Sequence, residues 1–391
     1  MLRVKSLSSW RRERSGEIDA MTEPPAISWT DLFRSSALAD TTLVLRTIKK
    51  SGRPFLFVPT NSTLAAHSLS LYPAQTKSAR RAKSILRAAF QWRLPVPLER
   101  ISLPLASKEP FARFLADLVE VPSKSFPAIA VLAGNPHAQG CRFLILLFDE
   151  RNRPAFVVKA GTGELPRQLV RRETAFLNAT SPGAPGLPLV RASFDAGEIS
   201  AFALNFVPGD SPLPGDWSHL GEVLSAWVNR EKLVHVDEIL AWQTLPKSQV
   251  AESIFGGLSE RLASVAFHPT IFHGDLAPWN IKVSPGTGAW TILDWERGEV
   301  AGIPGWDWFH YVIQSGVLVG KQPPEELLET LEGFLEGKEF REYSDLAKIR
   351  GHERPLVLAY LFYLVNVIKP SEGLATNGSL LGLLAQRWLP V

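Results

Sequence analysis

The segment FHGDLAPWNIKV, residues 272–283, places a histidine, an aspartate and an asparagine within a short run of apolar and small residues. His273, Asp275 and Asn280 follow the helix-like pattern LASVAF and precede two strand-like segments, NIKVSP and AWTILDWE, which the turn SPGTGA joins. The pattern therefore predicts that these three polar side chains sit in a loop that leads into a hairpin.

A second acid, Asp294, ends the second strand of this predicted hairpin and could converge with Asp275 and Asn280 at one loop face. Carboxylate and amide oxygens are the ligands that Mg²⁺ prefers, so this set suits a divalent cation beside a hydroxyl substrate. Asp and Asn also cap turns routinely, and for any one of these residues alone a turn cap is the alternative.

The complete pattern resembles a known family. HGDLAPWN, followed fourteen residues after its asparagine by the aspartate of LDWE, is similar to the signature of the aminoglycoside phosphotransferase and choline kinase group, a branch of the protein-kinase-like fold. The order H-x-D-x-x-x-x-N and then Asp parallels the catalytic loop and the metal-binding aspartate of protein kinases. The resemblance extends over residues from about 125 to about 370.

The resemblance implies a role for each residue of the motif. Asp275 would orient or deprotonate an acceptor hydroxyl, and Asn280 and Asp294 would hold Mg²⁺ against the phosphates of a nucleotide. His273 would brace the loop through hydrogen bonds, and Glu296 would be a metal ligand or a supporting residue.

The resemblance also requires a strand lysine that binds the nucleotide phosphates, paired with a glutamate on the following helix. Lys159 ends the strand-like segment AFVVK, and Glu173 lies in the helix-like segment RRETAFL. On their own, these residues would be interpreted as a lysine at a strand end and a helix-surface acid.

A phosphate-covering loop would fall within LAGNPHAQGCRF, where Gly134 and Gly140 are the glycines. This is not a G-x-G-x-x-G pattern, and a simple hairpin loop is an equal alternative.

The segment ALNFVPG resembles the hinge that binds adenine through backbone groups, here around Asn205, Phe206 and Val207. Asp307, in GIPGWDWFHYV, matches an aspartate that braces the catalytic loop in the family, although a helix N-cap is a competing interpretation.

The order of these elements predicts an α+β fold in which a small antiparallel-sheet lobe precedes a larger helical lobe, and the resemblance implies that the fold is of the bilobal protein-kinase-like type. The expected divisions are a basic N-terminal α/β region of unknown function (residues 1–120), the sheet lobe (121–209) and the helical lobe (210–391).

The charge is distributed unevenly along the 391 residues. The net charge is +3, but residues 1–120 contain 19 Lys and Arg against 10 Asp and Glu. The N-terminal region is therefore a candidate for binding an anionic partner or a membrane surface, whereas nothing in the sequence predicts nucleic-acid binding. Both Met1 and Met21 are candidate start residues.

The cellular location follows from what the sequence contains. With a single cysteine, Cys141, the chain cannot form an intramolecular disulfide. It shows no secretory signal pattern, and its longest apolar run near the C-terminus is too short to cross a bilayer. We therefore expect a cytoplasmic protein.

The sequence favours an ATP-dependent, Mg²⁺-using phosphotransferase that acts on a hydroxyl of a sugar, amino-sugar or amino-alcohol. GTP is not excluded as the donor. The alternative is a kinase-like binding module without catalysis. Trp279, Trp295, Trp306 and Trp308 could bind an acceptor or simply pack in the core. The acceptor and the oligomeric state are not determined by sequence.

Overall fold

The computed structural model describes residues 28–34, 38–50, 52–72, 74, 77–120, 126–133, 140–180, 183–245, 252–370 and 373–389. The strands are β1 Thr41–Lys50, β2 Arg53–Pro59, β3 Glu99–Leu105, β4 Ile129–Leu132, β5 Phe143–Phe148, β6 Pro154–Thr162, β7 Val190–Ala196, β8 Ile199–Asn205, β9 Val234–His235, β10 Ala266–Phe267, β11 Thr270–Phe272, β12 Ile281–Val283, β13 Trp290–Ile292 and β14 Glu299–Gly302.

The α-helices are α1 Ser62–Ser68, α2 Lys77–Gln91, α3 Pro110–Leu118, α4 Glu164–Ala179, α5 Trp217–Ala226, α6 Leu240–Gln243, α7 Glu252–Leu262, α8 Trp306–Gln314, α9 Pro324–Leu335, α10 Lys338–Ala347, α11 Glu353–Tyr363 and α12 Leu374–Trp388. Short 3₁₀ segments and two π-helical segments, Ser315–Gly320 and Leu364–Ile368, complete the described secondary structure.

One antiparallel sheet organises the first half of the chain. Its strands lie in the order β3-β1-β2-β4-β5-β6-β8-β7. The pairing of β2 with β4, with Leu56 opposite Leu132, carries the sheet across the division predicted near residue 120. The N-terminal strands and the strands of the predicted sheet lobe thus share backbone hydrogen bonds, and the three-part division of the chain stays a prediction.

Both faces of this sheet are buried, because alternate residues of its central strands enter two different apolar clusters. Phe57 and Ile145 face a cluster closed by the 3₁₀ segment Trp29–Phe33 and by α3. Leu56 and Leu146 face the opposite cluster, which α1 and α2 cover. Helices α1 and α2 therefore form one of the two layers that cover the sheet.

The second half of the chain is mostly helical, with short two-stranded pairs such as β12 with β13. Its core is rich in large aromatic side chains, of which Trp295, Trp306 and Trp308 are almost completely buried. The predicted α+β fold class is confirmed, with an α/β region at its N-terminal end. Among the described residues, no helix has the length and apolarity needed to cross a membrane.

Candidate functional site

The loop 273–280 connects β11 to β12 and turns sharply at Gly274, whose φ is +77°. A Cβ atom there would lie 2.8 Å from Cβ of Arg297, so both the backbone conformation and the space favour glycine. The sharp turn between His273 and Asp275 therefore requires a glycine at position 274.

Asp307 anchors this turn from the first turn of α8. Its carboxylate accepts hydrogen bonds from the backbone N–H of His273 (2.7 Å) and of Gly274 (3.0 Å). The N-cap of α8 is Gly305, so the side chain of Asp307 is directed to the loop rather than serving as the cap. Burial raises the pKa of Asp307 to about 7, although the two N–H donors oppose this shift.

His273 is completely buried and links the loop to the strand end that carries the second acid. Its Nδ1 accepts from the N–H of Asp275 (3.1 Å), and its Nε2 lies 2.9 Å from the carbonyl oxygen of Leu293. These partners assign the proton to Nε2. Burial lowers the pKa of His273 to about 4, so the ring is neutral at physiological pH and holds two backbone segments together.

Asn280 closes the loop onto Asp275. Its side-chain amide donates to the backbone carbonyl of Asp275 (2.8 Å) and lies 3.2 Å from that residue's Oδ2. The backbone carbonyl of Asn280 accepts from Leu293 N–H (2.7 Å), which fixes the loop against the strand that precedes Asp294. The sequence-predicted aspartate, asparagine and second aspartate therefore converge.

Lys159, on β6, joins the two halves of the chain. Its ammonium donates to Glu173 Oε2 (2.5 Å) on α4 and also forms an ion pair with Asp294. Burial by itself would lower the pKa of Lys159, but the carboxylates of Asp294 and Glu173 outweigh this effect and raise it. Lys159 in turn holds the pKa of Asp294 well below its usual range despite burial, so this pair is charged.

Asp294 has a φ of +72°, which is uncommon for a residue with a side chain. The next residue, Trp295, donates its backbone N–H to Glu173 Oε1 (2.9 Å), which helps to fix the chain in this conformation. Strained backbone of this kind is found preferentially at functional sites.

Part of this group lines one cavity of about 370 Å³, whose lining does not include His273, Asp275 or Asp307. Lys159, Glu173, Asn280 and Asp294 line it, and so do four other residues predicted from the sequence: Gly140, Asn205, Phe206 and Val207. Gly134 lies outside the described residues.

The hinge-like segment offers fewer free backbone groups than the sequence suggested. The N–H of Phe206 is donated to the carbonyl of Ala155 (2.8 Å). The amide of Val207 has no backbone acceptor among the described residues, so it is the N–H best placed to meet a ligand in the cavity.

A divalent cation fits the donors at the other end of the cavity. Because the amide nitrogen of Asn280 is used by Asp275, its oxygen remains for a cation, and Asp294 adds a carboxylate. In the described part of the chain, no cluster of three or more His, Cys, Asp or Glu side chains forms a metal site. Mg²⁺ needs only one or two protein ligands when phosphates and water complete its shell.

Sequence reasoning missed His310 and Tyr360, which support Asp275 from the helical core. Nε2 of His310 lies 3.1 Å from Asp275 Oδ1, and its Nδ1 lies 2.9 Å from the hydroxyl of Tyr360. Burial would raise the pKa of Asp275, but His310 and Arg297 together lower it, so the carboxylate is ionised. No local sequence signal marks these partners, since they come from separate helices.

Sequence reasoning also missed Arg142, which immediately precedes β5. It lines the cavity and forms an ion pair with Glu296, two residues beyond Asp294. Burial and the nearby carboxylate of Asp294 raise the pKa of Glu296, and Arg142 opposes that shift. Glu296 therefore binds a cationic side chain that lies between it and the cavity.

The four tryptophans were expected either to bind an acceptor or to pack in the core. Trp295, Trp306 and Trp308 are core residues, whereas Trp279 lines the cavity beside Asn280.

No protein-family model matches the chain, and no curated protein matches it in sequence. Solved structures with a similar fold include a thermostable mutant of the aminoglycoside phosphotransferase APH(4)-Ia in complex with ADP and hygromycin B. It is 11% identical, with a TM-score of 0.48, and the match covers 73% of this chain and 100% of that one.

Two further similar structures come from bacteria. A candidate fructosamine-3-kinase from Haemophilus somnus 129PT is 12% identical, with a TM-score of 0.44, and the match covers 70% of this chain and 96% of that one. A candidate aminoglycoside phosphotransferase from Ralstonia eutropha JMP134 is 14% identical, with a TM-score of 0.47, covering 71% and 96%. The structures found thus include members of the group that the HGDLAPWN motif resembles.

Proposed function

We propose that this protein is an ATP-dependent phosphotransferase that uses Mg²⁺ to phosphorylate a hydroxyl group of a small molecule of the sugar, amino-sugar or amino-alcohol type. One observation carries the proposal. The ion-paired Lys159, Glu173 and Asp294 lie in the same cavity as the loop that holds Asp275 and Asn280. Phosphoryl transfer requires this combination, because it depends on alignment and charge neutralisation rather than on covalent catalysis.

Each residue has a role that follows from its contacts. Lys159, held charged by two carboxylates, binds the α- and β-phosphates, and Glu173 positions it. Asn280 and Asp294 hold Mg²⁺, which when bound neutralises phosphate charge. The free amide of Val207, together with Asn205 and Phe206, provides the surface for the base.

The acceptor meets Asp275, whose carboxylate is ionised and can accept a proton. As the acceptor oxygen forms its bond to the γ-phosphorus, its proton passes to Asp275, while the bond between that phosphorus and the bridging oxygen breaks and ADP leaves. His273 and Asp307 fix the backbone of the loop, so that the position of Asp275 is set before an acceptor binds.

The nucleotide half of the proposal is tested by thermal shift with AMP-PNP, with and without Mg²⁺. We expect stabilisation that requires both ligands, and Asp294→Asn should remove the Mg²⁺-dependent part. The matched control is Asp237→Asn, on an exposed segment of the helical half. Equal stabilisation of the wild type and Asp294→Asn would contradict the assignment of Asp294.

The transfer half is tested by coupled detection of ADP across a panel of sugars, amino-sugars and amino-alcohols, with ATP or GTP as donor. We expect turnover with at least one acceptor and a loss of about a hundredfold or more in Asp275→Ala. Mg²⁺-dependent nucleotide binding without turnover on any acceptor would instead favour the non-catalytic binding module.

A further inference from the structure

The N-terminal region contains a continuous segment without any acidic residue. Residues 41–98 include ten lysines and arginines and no Asp or Glu. The acids at its two borders are already engaged, since Asp40 binds Ser107 (2.8 Å) and Glu99 binds Lys49 (2.8 Å). The segment spans β1, β2, α1 and α2, so its positive charge is concentrated in one part of the fold.

Helix α2 has an inner face that is firmly packed. Phe90 is buried against the sheet, and the guanidinium of Arg46 on β1 lies over its ring at 5.0 Å. Lys83 donates to the backbone carbonyl of Tyr72 (2.8 Å). These contacts fix which side of α2 faces outward.

The outer face of α2 combines cations with large apolar side chains. Arg81 and Ile85 are four residues apart, which places them on one side of the helix. Trp92 follows the last helical residue, Gln91, and its N–H still donates to the carbonyl of Ala88 (2.9 Å), so it continues the same side. Ile85 is 71% exposed and Trp92 is 75% exposed. Directly after the helix, Leu94 is also exposed (51%). Single exposed apolar residues are ordinary, but a group of them on one basic helix face indicates an interaction surface.

The arginines around these residues are available to a partner. Arg80, Arg81 and Arg93 are exposed, and none of them forms an ion pair with another described residue. Their positive charge favours an anionic partner. The exposed side chains of Ile85 and Trp92 favour a partner that can also bury apolar groups. A bilayer interface with anionic headgroups meets both requirements, whereas a nucleic-acid backbone meets only the first.

We propose that the exposed surface formed by α2 and the residues directly after it, defined by Arg80, Arg81, Ile85, Trp92 and Arg93, docks the protein onto membranes that contain anionic phospholipids. The arginines bind headgroup phosphates, and the side chains of Ile85 and Trp92 enter the interface. This surface is separate from the catalytic residues, so the inference does not depend on the proposed phosphotransfer.

The experiment is flotation of the full-length protein with vesicles of phosphatidylcholine alone or mixed with phosphatidylserine, at low and at high salt. We expect binding only to the mixed vesicles, weakened by salt. Each cation near an anionic membrane contributes roughly a fivefold factor, so Arg80→Gln with Arg81→Gln should reduce partitioning roughly 25-fold. Ile85→Ser with Trp92→Ser should reduce it by about tenfold or more.

Two matched controls separate this surface from general charge and apolarity. Arg230→Gln with Lys232→Gln removes two exposed cations from the helical half, and Leu240→Ser removes an apolar side chain that is 59% exposed. Both should bind vesicles as the wild type does. Circular dichroism of every variant confirms that it is folded.

Three results would overturn the proposal. The first is that the folded wild type does not bind the mixed vesicles at low salt. The second is that only the arginine substitutions matter, while duplex RNA or DNA competes fully for the protein. The third is a dimer in light scattering that the Ile85→Ser and Trp92→Ser pair dissociates, because the face would then bind a second copy of this chain.

Discussion

Two effects act in opposite directions on the pKa of Asp307, and replacing this residue with asparagine shows which of them is larger. Its side chain is 4% exposed, and burial favours the neutral acid. Its two bonds from the N–H groups of His273 and Gly274 favour the carboxylate. If burial dominates, the pKa of Asp307 in the folded protein is about 7, against an ordinary value of 3.8.

The sign and size of the effect follow from that difference. A carboxyl group whose pKa is raised by folding contributes stability that is fully present below its unfolded pKa and is lost as the pH rises through its folded pKa. A difference of about 3 pKa units corresponds to about 4 kcal/mol of unfolding free energy lost between about pH 4 and about pH 7. Asparagine does not ionise, so Asp307→Asn lacks this loss.

His273 makes the comparison with the variant necessary. Its pKa is lowered to about 4, so it contributes stability that is present above its ordinary value of 6.5 and is lost as the pH falls through about 4. This effect runs against that of Asp307 over the same pH range. The stability of the wild type alone therefore conceals both, whereas the difference between variant and wild type removes the part due to His273.

The measurement is urea unfolding of both proteins, followed by circular dichroism at intervals from pH 4 to pH 7.5. Whatever the offset from the altered hydrogen bonds, the unfolding free energy of Asp307→Asn should rise relative to the wild type by about 4 kcal/mol across this range. The exposed control Asp237→Asn should show no comparable change. A difference that is constant with pH, or that falls, would refute the reasoning and show that the two N–H donors outweigh burial.

Three further predictions concern single side chains. Gly274→Ala should lower the unfolding free energy by about 1–3 kcal/mol, because φ is +77° and the new Cβ would lie 2.8 Å from a neighbouring atom. The control Gly256→Ala, at a position with open space around it, should cause no such loss. Urea unfolding measures both. Tyr360→Phe removes the hydroxyl beside His310 Nδ1 and should lower kcat about tenfold with nucleotide KM unchanged in the ADP-release assay. Lys159→Met should lower kcat/KM about a hundredfold or more and weaken AMP-PNP binding in the thermal-shift assay, because two acids then face the phosphates without their cation.

Local patterns in the sequence were sufficient for much of the sheet and for the motif residues. β5 is a continuous apolar run, as expected for a strand buried on both faces, and β6 is apolar up to Lys159. The hairpin of β12 and β13 forms at the predicted turn. Lys159 was found because a motif far along the chain required a strand lysine. Its contact with Asp294, 135 residues away, is what brings the two ends of that motif together.

Other features depend on contacts between distant segments and gave no local signal. The edge strand β3 has exposed and half-buried residues and contains Pro104, so its apolar pattern is weak. The pairing of β2 with β4 is long-range, and nothing in either strand specifies its partner. His310 and Tyr360 read as core residues of apolar helices, because their approach to Asp275 is a property of helix packing.

Strands from both sides of the predicted division at residue 120 belong to one sheet. Truncation at this point tests whether the two parts of the chain fold independently. Leu146 and Phe148 on β5 are covered by a cluster that consists largely of N-terminal residues, including Leu56 and Phe90. Exposing a large apolar side chain costs about 1.5–3 kcal/mol. The loss for Leu146, Phe148 and the partners of β4 together approaches the 5–15 kcal/mol that typically separates folded from unfolded proteins.

A chain comprising residues 121–391 should therefore be insoluble or lack a cooperative thermal transition, although it keeps every motif residue from Lys159 to Asp307. The N-terminal region also supplies Ser70 and Leu71 to the lining of the cavity, so any soluble fraction should bind AMP-PNP more weakly than the full chain. Expression of both lengths, followed by thermal unfolding and AMP-PNP titration, makes the comparison. A cooperatively folded 121–391 chain with full nucleotide affinity would show that the first 120 residues are an independent addition, and that the shared sheet contributes little to the stability of the site.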